Sequence, residues 1–185
     1  LAEKGLLFQD IVEGLSDSQI DELISTDEWL DMLGVKPRAE TKPRAHPESM
    51  ASLSLSEIQE RLYQVTPARF EELVKELMQH WGYHNVKVTG KTGDGGIDVI
   101  STRNTSEGVR RAIAQCKRYK GTVGVEVARA LRGVMASDTS IEKGFLVTTG
   151  EFSRECLSFC ERSAVIATIS GLQMANYIKV FGIAV

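Results

Sequence analysis

The feature that most constrains this fold is a change of hydrophobic period at Gly82. From Thr66 the sequence carries a helix signature, with Thr66 as N-cap and Pro67 at the first helical position. Phe70, Leu73, Val74, Leu77, Met78 and Trp81 then follow one 3.6-residue face, and Gly82 ends it. A shorter helix, capped by Ser54 or Ser56, runs through Leu62. Beyond Gly82, residues 86–88, 97–100 and 112–116 read as strands. A helix over 125–135, a strand over 144–148, a helix over 153–160, a strand over 164–169 and a helix over 172–181 complete the pattern. The order α-β-β-β-α-β-α-β-α predicts an α/β fold, a mixed sheet with helices on both faces.

Upstream of Leu53 the composition shifts. Residues 1–34 carry nine acidic side chains and one basic, and Ile20, Leu23 and Ile24 form a helical stripe that Trp29, Leu30 and Leu33 extend. Residues 36–47 hold three prolines and almost nothing apolar, which is linker composition. We therefore expect an acidic helical appendage (1–34), a Pro-rich charged linker (35–52) and a main domain (53–185). The chain opens on Leu rather than Met, which leaves room for a domain upstream. No apolar run reaches the roughly 18 residues of a membrane span, and no basic-then-apolar signal segment opens the chain. Cys116, Cys156 and Cys160 form no C-x-x-C pair, so neither a zinc ribbon nor a disulfide framework is indicated. A reducing cytoplasm is the expected compartment.

The net charge of −3 conceals an asymmetry: residues 85–133 hold ten basic and four acidic side chains. Screening confines such fields to about 8–10 Å, so an acidic protein can still attract a polyanion there. The plainer reading is an ordinary solvated surface. Within this segment Gln115 and Lys117 stand two apart in an apolar run, so in a strand they share a face. Asp98 lies in a second strand-like run, after a turn that concentrates three glycines between Lys91 and Gly96. An Asp between Ile97 and Val99 is unfavourable in an apolar strand unless paired or metal-bound.

Two neighbouring strands would bring a carboxylate, an amide oxygen and an ammonium together. That set suits a hard divalent cation, with Asp98, Gln115 and a backbone carbonyl near Cys116 as oxygen donors. Lys117 would stabilise developing charge or help take a proton from water, the equipment for hydrolysing a phosphodiester. Each residue alone is equally at home in a turn or on a solvent-facing strand. Their joint arrangement is what points to chemistry.

Phe70-Glu71, Gly82-Tyr83, the run from Gly93 through Asp98 to Val99, the run from Gln115 to Gly121, and Leu146-Val-Thr-Thr-Gly150 followed by Phe152-Ser153 together resemble the catalytic domain of Mrr-like restriction endonucleases. These belong to the PD-(D/E)XK nuclease superfamily. The resemblance covers residues from about Ser54 to the C-terminus. It implies a restriction-endonuclease-like α-β-β-β-α-β core and magnesium-dependent cleavage of DNA, of type II or IV, in restriction or defence. By that resemblance Asp98 is the metal-binding aspartate, Lys117 the lysine, and Glu71 the helix glutamate that approaches the metal. Gln115 stands where many relatives carry Asp or Glu, so Glu71 has to compensate for the missing charge. From its position alone Glu71, like Glu72, reads as an acid favouring a helix dipole.

Lys91, Arg111, Arg118 and Lys120, with Arg110, Arg129 and Arg132, are candidate phosphate contacts, which position a duplex without reading its sequence. Tyr119 either stacks or packs. Thr148, Thr149 and Ser153 either bond phosphates at a helix start or cap that helix. Asp94 suits a turn role between its glycines. His46, His80 and His84 have no ligand spacing, and His80 lies near a helix end, where a cation helps. Cutting both strands of double-stranded DNA makes a homodimer plausible. Two other readings stay open: a non-cutting nucleic-acid-binding module, and an interaction protein whose basic stretch binds an acidic partner such as residues 1–34.

Overall fold

The computed structural model describes residues 52–90, 95–106 and 108–185. The expected appendage, nearly all of the linker, and Lys91, Asp94 and His46 lie outside the described residues. Five helices and a mixed five-stranded sheet follow. They are α1 (Leu55–Gln64), α2 (Pro67–His80), β1 (His84–Val88), β2 (Val99–Thr105), β3 (Gly108–Lys117), β4 (Thr122–Val123), α3 (Val125–Ser137), β5 (Ile141–Thr148), β6 (Glu151–Phe152), α4 (Arg154–Ser163), β7 (Ile166–Ile169) and α5 (Gly171–Phe181). The sheet order is β1-β2-β3-β5-β7, with β1, β2 and β3 antiparallel and β3, β5 and β7 parallel. This is the mixed sheet flanked by helices expected from the sequence. Among the described residues no helix is long and apolar enough to cross a membrane.

Local chemistry starts the helices where the sequence places them. Ser54 caps α1 in a reciprocal capping box with Glu57, and Thr66 caps α2 by accepting from the Arg69 amide at 3.1 Å. Alternation along the central strands divides the core in two. Ala112, Ala114, Phe145 and Val147 pack under α1, α2 and α5, while Ile113 and Leu146 pack under α3 and α4. Burial on both faces explains why β3 and β5 read as apolar runs. Each fully buried Leu or Ile here contributes about 1.5–3 kcal/mol.

Three boundaries differ from expectation. β2 begins at Val99, so Asp98 precedes the strand. The β2–β3 hairpin extends through Arg103, Asn104, Arg110 and Arg111, which carry no apolar alternation because that arm is largely exposed. Ala164 is the left-handed C-cap of α4, so β7 starts two residues later. A small parallel pair, β4 with β6, was not expected at all.

Candidate active site

Asp98 is fixed where β1, β2 and β3 meet. Its amide donates to the Ala114 carbonyl and its carbonyl accepts from the Thr89 amide, both at 2.9 Å. The Thr89 hydroxyl donates to the Ile97 carbonyl at 2.6 Å. The Asp98 side chain accepts from the Cys116 amide at 2.7 Å, which continues the β2–β3 ladder with a carboxylate in place of a carbonyl. A carboxylate has about four acceptor directions, so this bond orients Asp98 without exhausting it.

Glu71 faces that end of the sheet from α2. It sits five residues after the Thr66 N-cap, and the first turn of α2 holds no acid, so the helix-dipole reading of Glu71 and Glu72 does not hold. Glu72 turns away to pair with Lys75 at 2.8 Å. Burial raises the pKa of Glu71, and the neighbouring Asp98 charge raises it further, with Glu72 adding to both. The half-buried Cys116 packs against the α1, α2 and α5 core. Burial pushes its thiol well above its ordinary pKa, Asp98 and Glu71 push it further, and Lys117 acts in the opposite sense. Glu71 and Asp98 thus lie close enough to act on one another and on Cys116, and Lys117 follows Cys116 at the end of β3.

Gln115 approaches from the α3 side of the sheet. Its side chain is buried and its Oε1 lacks a hydrogen-bond partner, one of three such side-chain atoms among the described residues. Its Nε2 abuts Gly96, where an added Cβ would collide with it. Gly95 and Gly96 both have positive φ, 76° and 80°, a conformation that glycine adopts without strain. An added Cβ on Gly95 would stand 2.6 Å from Val134 Cγ2. The turn leading into Asp98 is therefore moulded onto Gln115 and α3. Among the described residues no group of three or more His, Cys, Asp or Glu gathers. The candidate donor set is two carboxylates and an amide oxygen.

The proposed phosphate contacts do not form one cluster. Arg111 lies toward the other end of β3 and pairs with Asp138 at 2.5 Å. Arg118 donates to the Tyr63 carbonyl at 3.3 Å, and Lys120 lies 4.7 Å from the Tyr63 ring centroid and 3.5 Å from Glu60. Arg118, Tyr119 and Lys120 are exposed just beyond Lys117, and Lys91 lies outside the described residues. His80 lies in the last turn of α2 as expected, stacked on Phe181 at 4.6 Å, and burial lowers its pKa while Glu76 opposes this.

Thr148 and Thr149, expected either to bond phosphates at a helix start or to cap that helix, brace the segment after β3 instead. Both are fully buried. The Thr148 hydroxyl donates to the Lys117 carbonyl at 2.8 Å, and the Thr149 hydroxyl accepts from the Tyr119 amide at 2.9 Å. Their polarity in an apolar strand was the available signal, since a buried hydroxyl needs a partner. Ser153 caps α4 by accepting from the Cys156 amide at 3.1 Å.

Comparison with known proteins bears on the family and the fold. The family described as restriction endonuclease, the Mrr catalytic domain, matches residues 62–178. The chain is 26% identical over 159 residues to the type IV methyl-directed restriction enzyme EcoKMrr of Escherichia coli, covering 80% of this chain and 52% of that enzyme. It is 30% identical over 91 residues to an uncharacterized mitochondrial protein of Schizosaccharomyces pombe, covering 48% of this chain and 36% of that protein. The chain thus spans about half, or less, of the length of these relatives. In structure it is similar to the DNA modification-dependent restriction endonuclease AspBHI, with a TM-score of 0.54, 20% identity, and coverage of 86% of this chain and 45% of that one. It is also similar to the MspJI restriction endonuclease in complex with a 27-mer oligonucleotide, with a TM-score of 0.50, 18% identity, and coverage of 83% and 38%. At such identities structural likeness speaks for the fold, and the sequence match carries the kinship. The chain belongs to the Mrr-type restriction endonuclease family.

Proposed function

We propose that this chain is a magnesium-dependent endonuclease of the PD-(D/E)XK kind that hydrolyses phosphodiesters of double-stranded DNA in a restriction or defence system. The supporting observation is the crowding of Glu71 and Asp98, with the unpartnered Gln115 Oε1 at the adjoining turn and Lys117 two residues further along β3. Two like charges that raise a pKa, and a buried acceptor without a donor, are both unfavourable conditions that a dication relieves. Asp98, Glu71 and Gln115 would hold the ion. Bound there, magnesium would neutralise phosphate charge and acidify a water. Asp98, braced by the Cys116 amide, keeps its carboxylate in place for binding. The Lys117 ammonium stabilises charge developing on the phosphate or assists proton removal from the water. Arg118 and Lys120 steer the backbone. We assign residues 53–185 to this catalytic domain, 1–34 to an appendage and 35–52 to a linker, in a cytoplasmic protein that acts on duplex DNA as a homodimer.

Incubating the chain with methylated and unmethylated supercoiled plasmid, with magnesium or with EDTA, tests the proposal. Nicked or linear product only with magnesium, favoured on methylated DNA as the name of the methyl-directed relative suggests, is the expected result. Intact plasmid at saturating magnesium would overturn it. The neutral Gln115 and the absence of a third acid among the described residues favour one second reading, a module that binds DNA without cutting. Calorimetric magnesium titration beside the plasmid assay separates the two. The acidic-partner reading turns on residues 1–34, which lie outside the described residues.

A further inference from the structure

We propose that Thr149 is a positioning residue that presets the segment after Lys117 for DNA, an inference that rests on the DNA-directed reading above. Thr149 is fully buried, and its hydroxyl engages one residue twice. It accepts from the Tyr119 amide at 2.9 Å and donates to the Tyr119 carbonyl at 3.1 Å. Its amide donates to the Lys117 carbonyl at 3.3 Å. On its other side the Thr149 carbonyl accepts from Gln59 Nε2 of α1 at 3.4 Å and lies so close to Gly171 of α5 that a Cβ there would collide with it. One buried residue therefore joins two helices of the scaffold to the exposed turn that follows the lysine.

That turn presents an aromatic between two cations. Tyr119 is 58% exposed, flanked by the exposed Arg118 and Lys120. Its ring lies over Gly121, where an added Cβ would stand 2.5 Å from Cε1. Tyr hydroxyls, guanidinium and ammonium groups side by side contact the phosphates and sugars of a duplex. A turn held in one conformation before binding avoids the ordering entropy that a loose loop would incur. Thr149 acts through Tyr119 and its neighbours rather than touching DNA, and the staple keeps this platform in fixed register with Lys117.

Thr149→Ser and Thr149→Ala both lose the methyl group and differ only in the hydroxyl, so their comparison isolates it. The expected result for Thr149→Ala is Tyr119 amide exchange faster by about tenfold, as loss of a hydrogen bond allows. Duplex affinity in EDTA should weaken several-fold and single-turnover cleavage should slow, with Thr149→Ser matching wild type in all three. Tyr119→Ala, at an exposed position, should fold normally and weaken duplex binding by about threefold to tenfold, in the range of a lost hydrogen bond to the DNA backbone. Equal duplex affinity for Ser and Ala variants, or wild-type affinity in Tyr119→Ala, would overturn the inference. A wild type that binds but does not cut would sink the nuclease reading alone, because the affinity comparison still decides this one. A wild type that neither binds nor cuts would overturn both.

Discussion

At the Arg111 end of β3, Asp138 accepts from the Ser140 amide at 3.0 Å and its hydroxyl at 2.6 Å, and pairs with Arg111. Those bonds, the Ser140 ones foremost, hold its carboxyl below its ordinary pKa. At the Lys117 end, Glu71 is pushed the other way by burial and by Asp98, and Gln115 Oε1 is left without a donor. The same strand ends in a carboxylate that is satisfied and in a group that is not. Structural acids are neutralised by what surrounds them, whereas a site built for a ligand keeps an imbalance for that ligand to correct.

The largest effect should come from removing the unbalanced end. Asp98→Ala or Lys117→Ala should lower plasmid cleavage by roughly 10²–10⁴-fold with circular dichroism unchanged, the range for lost electrostatic or acid–base groups. Arg111→Ala should leave the rate near wild type. Equal losses at both ends would erase the contrast.

Gly96→Ala comes next. A side chain there meets the Gln115 amide and must adopt φ of 80°, so stability should fall by about 1–3 kcal/mol in chemical denaturation. Cleavage should fall with it, because Gln115 is displaced.

Glu71→Gln should raise the magnesium concentration needed for half-maximal cleavage by about tenfold or more, yet make the protein more stable at pH 7. The raised pKa means the folded state holds a proton that the unfolded chain has lost. Stability therefore decreases as pH rises above the ordinary 4.5 toward the folded value, and stays reduced above it. Removing the charge lifts that penalty.

Asp138→Asn should show the smallest and opposite effect. Its lowered pKa contributes stability that is present above the ordinary 3.8 and lost as pH falls through the folded value. Melting at pH 7 should drop slightly, the difference should vanish in acid, and cleavage should not change.

The sequence announced the elements whose signals are local. Thr66, Pro67 and the stripe from Phe70 to Trp81 mark α2, and the alternating core residues mark β3 and β5. It also announced the kinship, through the residues from Asp98 to Lys117. The β2–β3 arm was illegible because an exposed hairpin needs no apolar alternation, and Arg103 or Arg110 suits a loop equally well. Which groups the basic residues at the two ends of β3 meet depends on tertiary contacts, such as Arg111 with Asp138 and Arg118 with the Tyr63 carbonyl, and no local pattern encodes that. Thr148 and Thr149 were ambiguous because a hydroxyl at a strand end can cap, bind phosphate or brace a neighbouring segment, and only tertiary contacts decide among these. The small β4–β6 pair rests on two-residue strands, too short to carry a period.

The most direct measurement is an anomalous difference map at the manganese edge, from crystals of this chain grown with manganese in place of magnesium. The expected result is a peak bonded to the Asp98 carboxylate on the side facing Glu71, with Gln115 Oε1 among its neighbours. Full manganese occupancy elsewhere, with nothing between Asp98 and Glu71, would contradict the assignment.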